Sequence, residues 1–184
     1  MKLTGGTARG AKLFSVPGSD VRPALARMRI SIFEILKPLL EGARVLDLFA
    51  GTGCLGLEAL SRGAAHAVFL DIDDRCIETL DRNLGKLRFV ARAEVVHASA
   101  FEAARVTGTR EFDLVFVDPP YAFYVDKRAE LEASIAALAP RLSKGATVLA
   151  EHRTSQALPE AWAGLTRRDE RIYGGTTVTF YGAR

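Results

Sequence analysis

The chain has 184 residues, of which 48% are apolar and 26% charged, as in an ordinary globular protein. This length favours one domain with a small appendage, and no apolar run is long enough to cross a bilayer. The net charge is +3, but residues 1–37 contain seven bases and two acids and so carry +5. A basic segment on a nearly neutral body predicts a polyanionic partner such as nucleic acid.

The cysteine and histidine content indicates a reduced, metal-free protein. The two cysteines, Cys54 and Cys76, suit a cytoplasmic protein better than a disulfide scaffold. No Cys/His cluster has the spacing of metal ligands, so we expect no metal. The first residues lack the apolar block of a signal peptide. We also expect a monomer, because no long apolar stripe remains once the elements are assigned.

The N-terminal part is predicted to form a small extension. Two short β-like runs, Lys2–Gly6 and Ala11–Val16, predict a glycine-rich hairpin. Pro23 suits the first position of a helix, and an apolar stripe at helical spacing continues to about Leu40. We therefore predict an extension over residues 1–40 that faces the polyanion.

The rest of the chain, residues 41–184, alternates between near-continuous apolar strands and helices, which is typical of a parallel sheet covered on both faces. Gly174 and Gly175 separate the last two strands, which predicts an antiparallel hairpin. The predicted fold is α/β, with a doubly wound, mostly parallel seven-stranded sheet. The predicted strands are Arg44–Leu48, His66–Asp71, Ala93–His97, Phe112–Val117, Ala146–His152, Leu165–Tyr173 and Thr176–Tyr181. The predicted helices lie near Leu55–Arg62, Asp74–Leu87, Ala100–Val106 and Lys127–Leu142.

A glycine-rich loop follows the first of these strands. Gly51 and Gly53 let a ligand approach the backbone, and Asp71, at the next strand end, is suitably placed for a ribose. The pattern Gly51-x-Gly53-x-x-Gly56 also fits a dinucleotide. However, Asp47 would repel a pyrophosphate and attract the cationic groups of S-adenosylmethionine, which we therefore favour.

The stretch Asp118-Pro119-Pro120-Tyr121 ends the fourth strand. Two prolines prevent further strand pairing and leave carbonyls in a stiff turn. The Asp118 carboxylate and a proline carbonyl can accept the N–H groups of an amine on a planar ring, and Tyr121 can stack on that ring.

Together these motifs resemble the class I S-adenosylmethionine methyltransferases that methylate amines. Further matches resemble the bacterial 16S ribosomal RNA guanine-N2 methyltransferases over nearly the whole chain. These matches are Gly5-Gly6, Arg9-Gly10, Arg22-Pro23, Arg27-x-Arg29, Phe33, Val45 to Gly53, Gly56 to Ala59 and Arg171-x-Tyr173-Gly174.

The resemblance implies a set of site residues and a small-subunit RNA or 30S assembly particle as substrate. The implied catalytic residues are Asp118, Pro119 and Tyr121, with Phe123 or Tyr124 as flanking rings. The implied cofactor-binding residues are Asp47, Phe49, Gly51, Thr52, Gly53, Asp71, Ile72, Ser99, Ala100 and Asp118. The implied phosphate-binding residues are Arg9, Lys12, Arg22, Arg27 and Arg29.

Three positions depart from the family pattern. Ala24-Leu25-Ala26 replaces Thr-Thr-Asp after the Arg-Pro pair, and Ile30 replaces an acidic residue. Ser99 stands where the family has an aspartate that is expected to accept from the adenine amine. The alternatives are a DNA adenine-N6 or protein glutamine methyltransferase, a non-catalytic nucleic-acid-binding protein and a nicotinamide-dependent oxidoreductase.

Overall fold

A computed structural model describes residues 1–16 and 23–182. The helices are α1 (Pro23–Leu40), α2 (Cys54–Ser61), α3 (Asp74–Leu87), α4 (Ala103–Val106), α5 (Phe123–Asp126) and α6 (Arg128–Leu138). The strands are β1 (Arg44–Asp47), β2 (His66–Asp71), β3 (Ala93–His97), β4 (Phe112–Val117), β5 (Leu142–Arg153), β6 (Ala161–Trp162), β7 (Leu165–Tyr173) and β8 (Thr176–Gly182).

Within the described residues, the strands form one sheet in the order β3-β2-β1-β4-β5-β8-β7-β6. The first five run parallel, and β8, β7 and β6 join them by antiparallel pairing. The strand order reverses between β1 and β4, since β2 and β3 follow β1 to one side and β4 and β5 lie to the other. Ligands of open α/β sheets bind at such a point, beyond the carboxyl ends of the strands.

Apolar side chains cover both faces of the sheet, which explains the unbroken apolar strands. On one face, α1, α2 and α3 pack with Leu3 and Leu13 of the N-terminal segment. On the other face, α4 and α6 pack with Trp162 and Tyr181 of the C-terminal strands. The doubly wound α/β prediction is confirmed.

Three details of the prediction were wrong. The sheet includes the two-residue strand β6, which is too short to give a periodic signal and which makes an eighth strand in the described part of the chain. The predicted N-terminal strand pair is a single antiparallel bridge, Lys2 to Lys12, because the segment bends through glycines at positive φ. Strand β5 also begins at Leu142, four residues earlier than predicted, directly after the turn that contains Pro140.

The N-terminal segment is attached to α2 by a buried carboxylate. Glu58 is fully buried, and its two oxygens accept from the amide and hydroxyl of Thr4 at 2.8 and 2.7 Å. The same carboxylate pairs with Arg62 Nε at 2.8 Å and lies 3.9 Å from Arg29 Nε. A buried charge is tolerated only with such partners, so this cluster fixes α1 and the segment on the body.

A close backbone approach adds to this attachment. Ser61, at the end of α2, accepts from the Thr7 amide at 2.7 Å through its carbonyl and donates to the Gly5 carbonyl at 2.6 Å. Gly6 has φ +74°, and a Cβ built on it would lie 1.8 Å from the Ser61 carbonyl oxygen. Only glycine fits at this contact.

We expect Gly6→Ala to destabilise the protein much more than Gly10→Ala. Gly10 also has a positive φ, +81°, but a Cβ there meets nothing within 4 Å. Gly10→Ala should therefore cost only the left-handed backbone penalty of about 1 kcal/mol, whereas Gly6→Ala must also separate the segment from Ser61. Urea unfolding measures the difference, and equal losses would contradict the close contact.

Candidate active site

A cavity of about 660 Å³ opens beyond the carboxyl ends of the parallel strands. It is lined by Leu48, Phe49, Gly51, Asp71, Ile72, Asp73, Cys76, Ala98, Ser99, Ala100, Phe101, Asp118, Pro119, Pro120, Tyr121, Phe123 and Lys127. The volume suits a nucleoside-sized ligand together with part of a second substrate.

The glycines of the loop after β1 have different physical roles. Gly51 has φ +53°, and a Cβ there would meet nothing, so its backbone faces open space in the cavity. A Cβ at Gly53 would lie 2.3 Å from Leu80 Cδ1, and one at Gly56 would lie 2.2 Å from a Phe69 ring carbon. Gly51 therefore permits ligand approach, whereas Gly53 and Gly56 permit packing of α2.

Asp71 fixes the shape of this loop and keeps acceptor capacity. Its Oδ2 accepts from the Gly51 amide at 2.6 Å, and its Oδ1 accepts from the Asp73 amide at 2.9 Å. Each carboxylate oxygen has a second lone-pair direction. Asp71 can therefore hold the loop and still accept from the hydroxyls of a ribose.

Asp47 is a buried carboxyl with one unsatisfied oxygen. Its Oδ2 accepts from the Gly56 amide at 3.1 Å, while Oδ1 has no hydrogen-bond partner. Burial raises the pKa of Asp47 to about 7, against the opposing effect of the Gly56 hydrogen bond, and the charge of Asp71 raises it further. Such a group favours a cationic ligand, whose charge would compensate the ionised form.

Asp118 and Glu151 form a second pair of carboxyls. Asp118 lines the cavity, and Glu151 lies behind it on the neighbouring strand β5. Burial first, then the charges of Glu151 and Asp47, raise the pKa of Asp118 well above its ordinary value. The adjacent Pro119 is buried and has no N–H, so its carbonyl stands in a turn that cannot extend the sheet.

Four side chains hold Tyr121. Its hydroxyl lies 3.3 Å from Glu151 Oε1 and 3.2 Å from Thr176 Oγ1. Its carbonyl accepts from Gln156 Nε2 at 2.9 Å, and the guanidinium of Arg153 lies 5.2 Å from the ring centroid. The ring is therefore fixed at the cavity wall as a platform for a planar group.

Three phenylalanine rings form an apolar wall of the cavity. Phe101 and Phe123 are stacked with centroids 5.9 Å apart, and Phe49 meets Phe123 edge-on at 6.1 Å. The Lys127 ammonium lies 4.5 Å from the Phe123 centroid. This wall can bury the face of a nucleobase, with a positive charge at its margin.

The cavity includes most, but not all, of the residues implied by the sequence. Phe49, Gly51, Asp71, Ile72, Ser99, Ala100, Asp118, Pro119 and Tyr121 line it. Asp47, Thr52 and Gly53 are not part of the lining. Ser99 Oγ accepts from the Phe101 amide, so part of its acceptor capacity is used locally.

Sequence reasoning missed Phe101, Lys127 and Glu151. Phe101 and Lys127 lie on turns and helices that carry no motif, and only the fold brings them to the cavity. Glu151 stands in an apolar strand, and an acidic residue at such a position indicates a buried carboxyl with a specific role.

The basic residues of the N-terminal part differ in their exposure and location. Arg9, Lys12 and Arg27 are exposed, whereas Arg22 lies outside the described residues. Arg9 lines a groove of about 580 Å³ between the N-terminal segment and α1, together with Ile30, Lys37 and Arg62.

The assignment of Arg29 as a phosphate-binding residue was wrong. Arg29 is only 4% exposed. It donates to the Lys2 carbonyl at 2.9 Å and to the sulfurs of Met1 and Cys54 at 2.7 Å. Its guanidinium is thus used inside the molecule, beside Glu58, and cannot reach an RNA backbone.

Comparison with known proteins identifies the family. A family model described as "Conserved hypothetical protein 95" matches residues 1–182. The chain belongs to this family.

Curated relatives and solved structures match over almost the full length. The chain is 36% identical to YlbH of Bacillus subtilis, with 100% of both chains covered. It is 34% identical to ribosomal RNA small subunit methyltransferase D of Escherichia coli, which covers 98% of this chain and 89% of the relative. The structure of Escherichia coli yhhF superposes with a TM-score of 0.85 at 33% identity, covering 100% of this chain and 98% of that one.

Residues 1–16 and 23–182 contain neither a membrane-spanning helix nor a cluster of metal ligands. No helix there has the length and apolar character needed to cross a membrane. No group of three or more histidine, cysteine or acidic side chains there is arranged to hold a metal ion.

We expect Asp47→Asn to change how the ligand-free protein's stability depends on pH. The carboxyl pKa rises from 3.8 to about 7 on folding, so the folded state binds more protons and the free energy of unfolding falls between about pH 4 and pH 7. The loss attributable to Asp47 is on the order of 4 kcal/mol, and the asparagine removes it. Chemical denaturation across this range, with exposed Asp81→Asn as control, measures the effect. An unchanged slope in Asp47→Asn would contradict the burial argument.

Proposed function

We propose that this protein transfers a methyl group from S-adenosylmethionine to the exocyclic N2 amine of a guanine in small-subunit ribosomal RNA. The observation that carries the proposal is one cavity lined by both Gly51 and Asp71, which suit a nucleoside, and Asp118 and Pro119, which suit an amine. Relatives named as ribosomal RNA small subunit methyltransferases support the choice of substrate.

The residues present fit S-adenosylmethionine. Asp71 offers acceptors for the ribose, Gly51 leaves room beside its backbone, and the phenylalanine wall can cover the adenine. Asp47 is not part of the lining, but its buried carboxyl, with Oδ1 unsatisfied, would contribute negative charge that favours the ammonium or sulfonium. When bound, S-adenosylmethionine supplies the methyl group, which the amine takes as the carbon–sulfur bond breaks with both electrons passing to sulfur.

The protein's contribution to the reaction is orientation of the amine. The guanine N2 lone pair is delocalised into the ring, so the amine is a poor nucleophile. The ionised Asp118 and the Pro119 carbonyl accept its two N–H groups and direct the lone pair towards the methyl, while Tyr121 stacks on the base. Positioning of this kind supplies several kcal/mol. The proton released after transfer passes to Asp118 or to water.

The N-terminal part, residues 1–40, supplies the RNA-facing surface in this proposal. Exposed Arg9, Lys12 and Arg27 bind phosphates and set the position of the RNA without reading its sequence. The target base leaves its stack to enter the cavity.

The first experiment is methyl transfer from labelled S-adenosylmethionine to small ribosomal subunits from a strain lacking this protein, followed by nucleoside analysis. We expect labelled N2-methylguanosine in the RNA. Asp118→Ala should reduce transfer at least about 100-fold with little change in cofactor affinity, since the amine loses its acceptor. Asp81→Ala is the control. Label in DNA or in a release factor, and none in RNA, would overturn the substrate.

We expect substitutions of exposed and of buried arginines to have different effects on the salt dependence of RNA affinity. Arg9→Ala and Arg27→Ala should each lower the slope of log affinity against log salt by about one, because each loses one phosphate contact. Arg29→Met should leave that slope unchanged and reduce the free energy of unfolding by about 3 kcal/mol, because Glu58 loses a buried partner. A slope change in Arg29→Met would contradict its internal role.

A further inference from the structure

Glu151 is a buried acid that the proposed mechanism leaves without a task. It is 7% exposed and stands among apolar residues of β5, with Ala150 beside it. Burying a carboxylate is costly, and a structural role would normally show a buried cationic partner. Glu151 Oε1 instead accepts from the hydroxyl of Tyr121 at 3.3 Å.

The register of the sheet places Glu151 beside Asp118. Strands β4 and β5 are parallel, and Val117 pairs with Ala150. One residue further along, Asp118 and Glu151 are therefore neighbours on strands about 4.8 Å apart. Because Val117 and Ala150 both pack into the same side of the core, the next two side chains both point to the opposite face.

The other charged and titratable groups around this pair are few among the described residues. Asp47 faces Asp118 from β1, and the hydroxyls of Tyr121 and Tyr124 face both carboxyls. Arg153, at the end of β5, lies over the Tyr121 ring. His152 points to the other face, where its Nε2 lies 2.8 Å from Thr179 Oγ1.

We propose that Glu151 is a positioning residue for methyl transfer, which sets the charge of Asp118 from the adjacent strand and holds the Tyr121 ring through its hydroxyl. This inference rests on the proposed function. Glu151 would then control both parts of the base-binding site, because it acts on Asp118, which accepts from the amine, and on Tyr121, which stacks on the ring.

The electrostatic consequence has a definite sign. The negative charge of Glu151 disfavours ionisation of Asp118 and raises the pKa of Asp118. Burial also raises the pKa of Glu151, and the hydrogen bond from Tyr121 opposes this. Because the mechanism needs ionised Asp118, removing the charge of Glu151 should extend activity to lower pH.

Glu151→Gln tests the charge of Glu151 separately from its hydrogen bond with the Tyr121 hydroxyl. The amide carbonyl still accepts from the Tyr121 hydroxyl, whereas the charge is lost. Tyr121→Phe does the reverse, since it removes the hydroxyl and keeps the Glu151 carboxyl. Glu132→Gln, on the surface of α6, is the matched control.

The test measures the pH dependence of kcat/KM for RNA and, independently, the titration of the Asp118 carboxyl by ¹³C NMR, assigned with Asp118→Asn. In Glu151→Gln we expect both the acid limb and the Asp118 titration to move about one unit to lower pH. In Tyr121→Phe we expect a KM for RNA raised about tenfold and an acid limb that moves less than in Glu151→Gln, because the Glu151 carboxyl is kept. Glu132→Gln should match the wild type.

Two results would overturn the inference. The first is an Asp118 titration that is the same in Glu151→Gln and in the wild type. The second is a Tyr121→Phe acid limb that moves as far as that of Glu151→Gln, since loop movement and not charge would then be the cause. Absence of wild-type transfer to RNA would instead reject the proposed function, and the NMR titration would still decide the coupling of Asp118 and Glu151.

Discussion

Three carboxyls stand at the carboxyl ends of adjacent strands β1, β4 and β5, and the chemistry of the site depends first on their burial, which raises the pKa of each. Asp47, Asp118 and Glu151 leave these strands on one face of the sheet, because Leu46, Val117 and Ala150 all pack into the core on the other. No arginine or lysine is bonded to the three among the contacts of the described residues. Because no cation of the protein is bonded to these carboxyls there, a cationic group or an N–H donor of a ligand is the favoured occupant of the site.

In the ligand-free protein, the free energy of folding includes the full cost of burying these carboxyls. Asp47, with a pKa of about 7 and an orphaned oxygen, is destabilising in the ligand-free protein at neutral pH. In the function proposed above, a cationic cofactor would remove that cost. Binding affinity and folding stability would then be linked through the same carboxyl, and conditions that protonate it would favour the empty fold over the complex.

The sequence predicted the sheet and the cavity better than it predicted the supporting contacts. Apolar runs mark each parallel strand, since both faces are covered, and Gly51, Asp71 and Asp118 lie at strand ends as expected. Glu151 was missed because its role comes from lateral register between β4 and β5, which a linear pattern does not contain. Arg29 was misassigned because helical spacing gives its position along α1 but not what packs above it.

At the end of the sheet formed by the C-terminal strands, the short strand β6 lies beside only the first part of the longer strand β7. Strand β6 pairs with β7 at Leu165 and Thr166, and the Arg167 amide donates to the Glu160 carbonyl. Strand β7 carries five consecutive charged residues, numbers 167–171, and has an irregular register opposite β8. Charges and bulges on an edge disfavour pairing with a foreign strand. An edge of this kind therefore disfavours the addition of a foreign strand although β6 lies beside only its first residues.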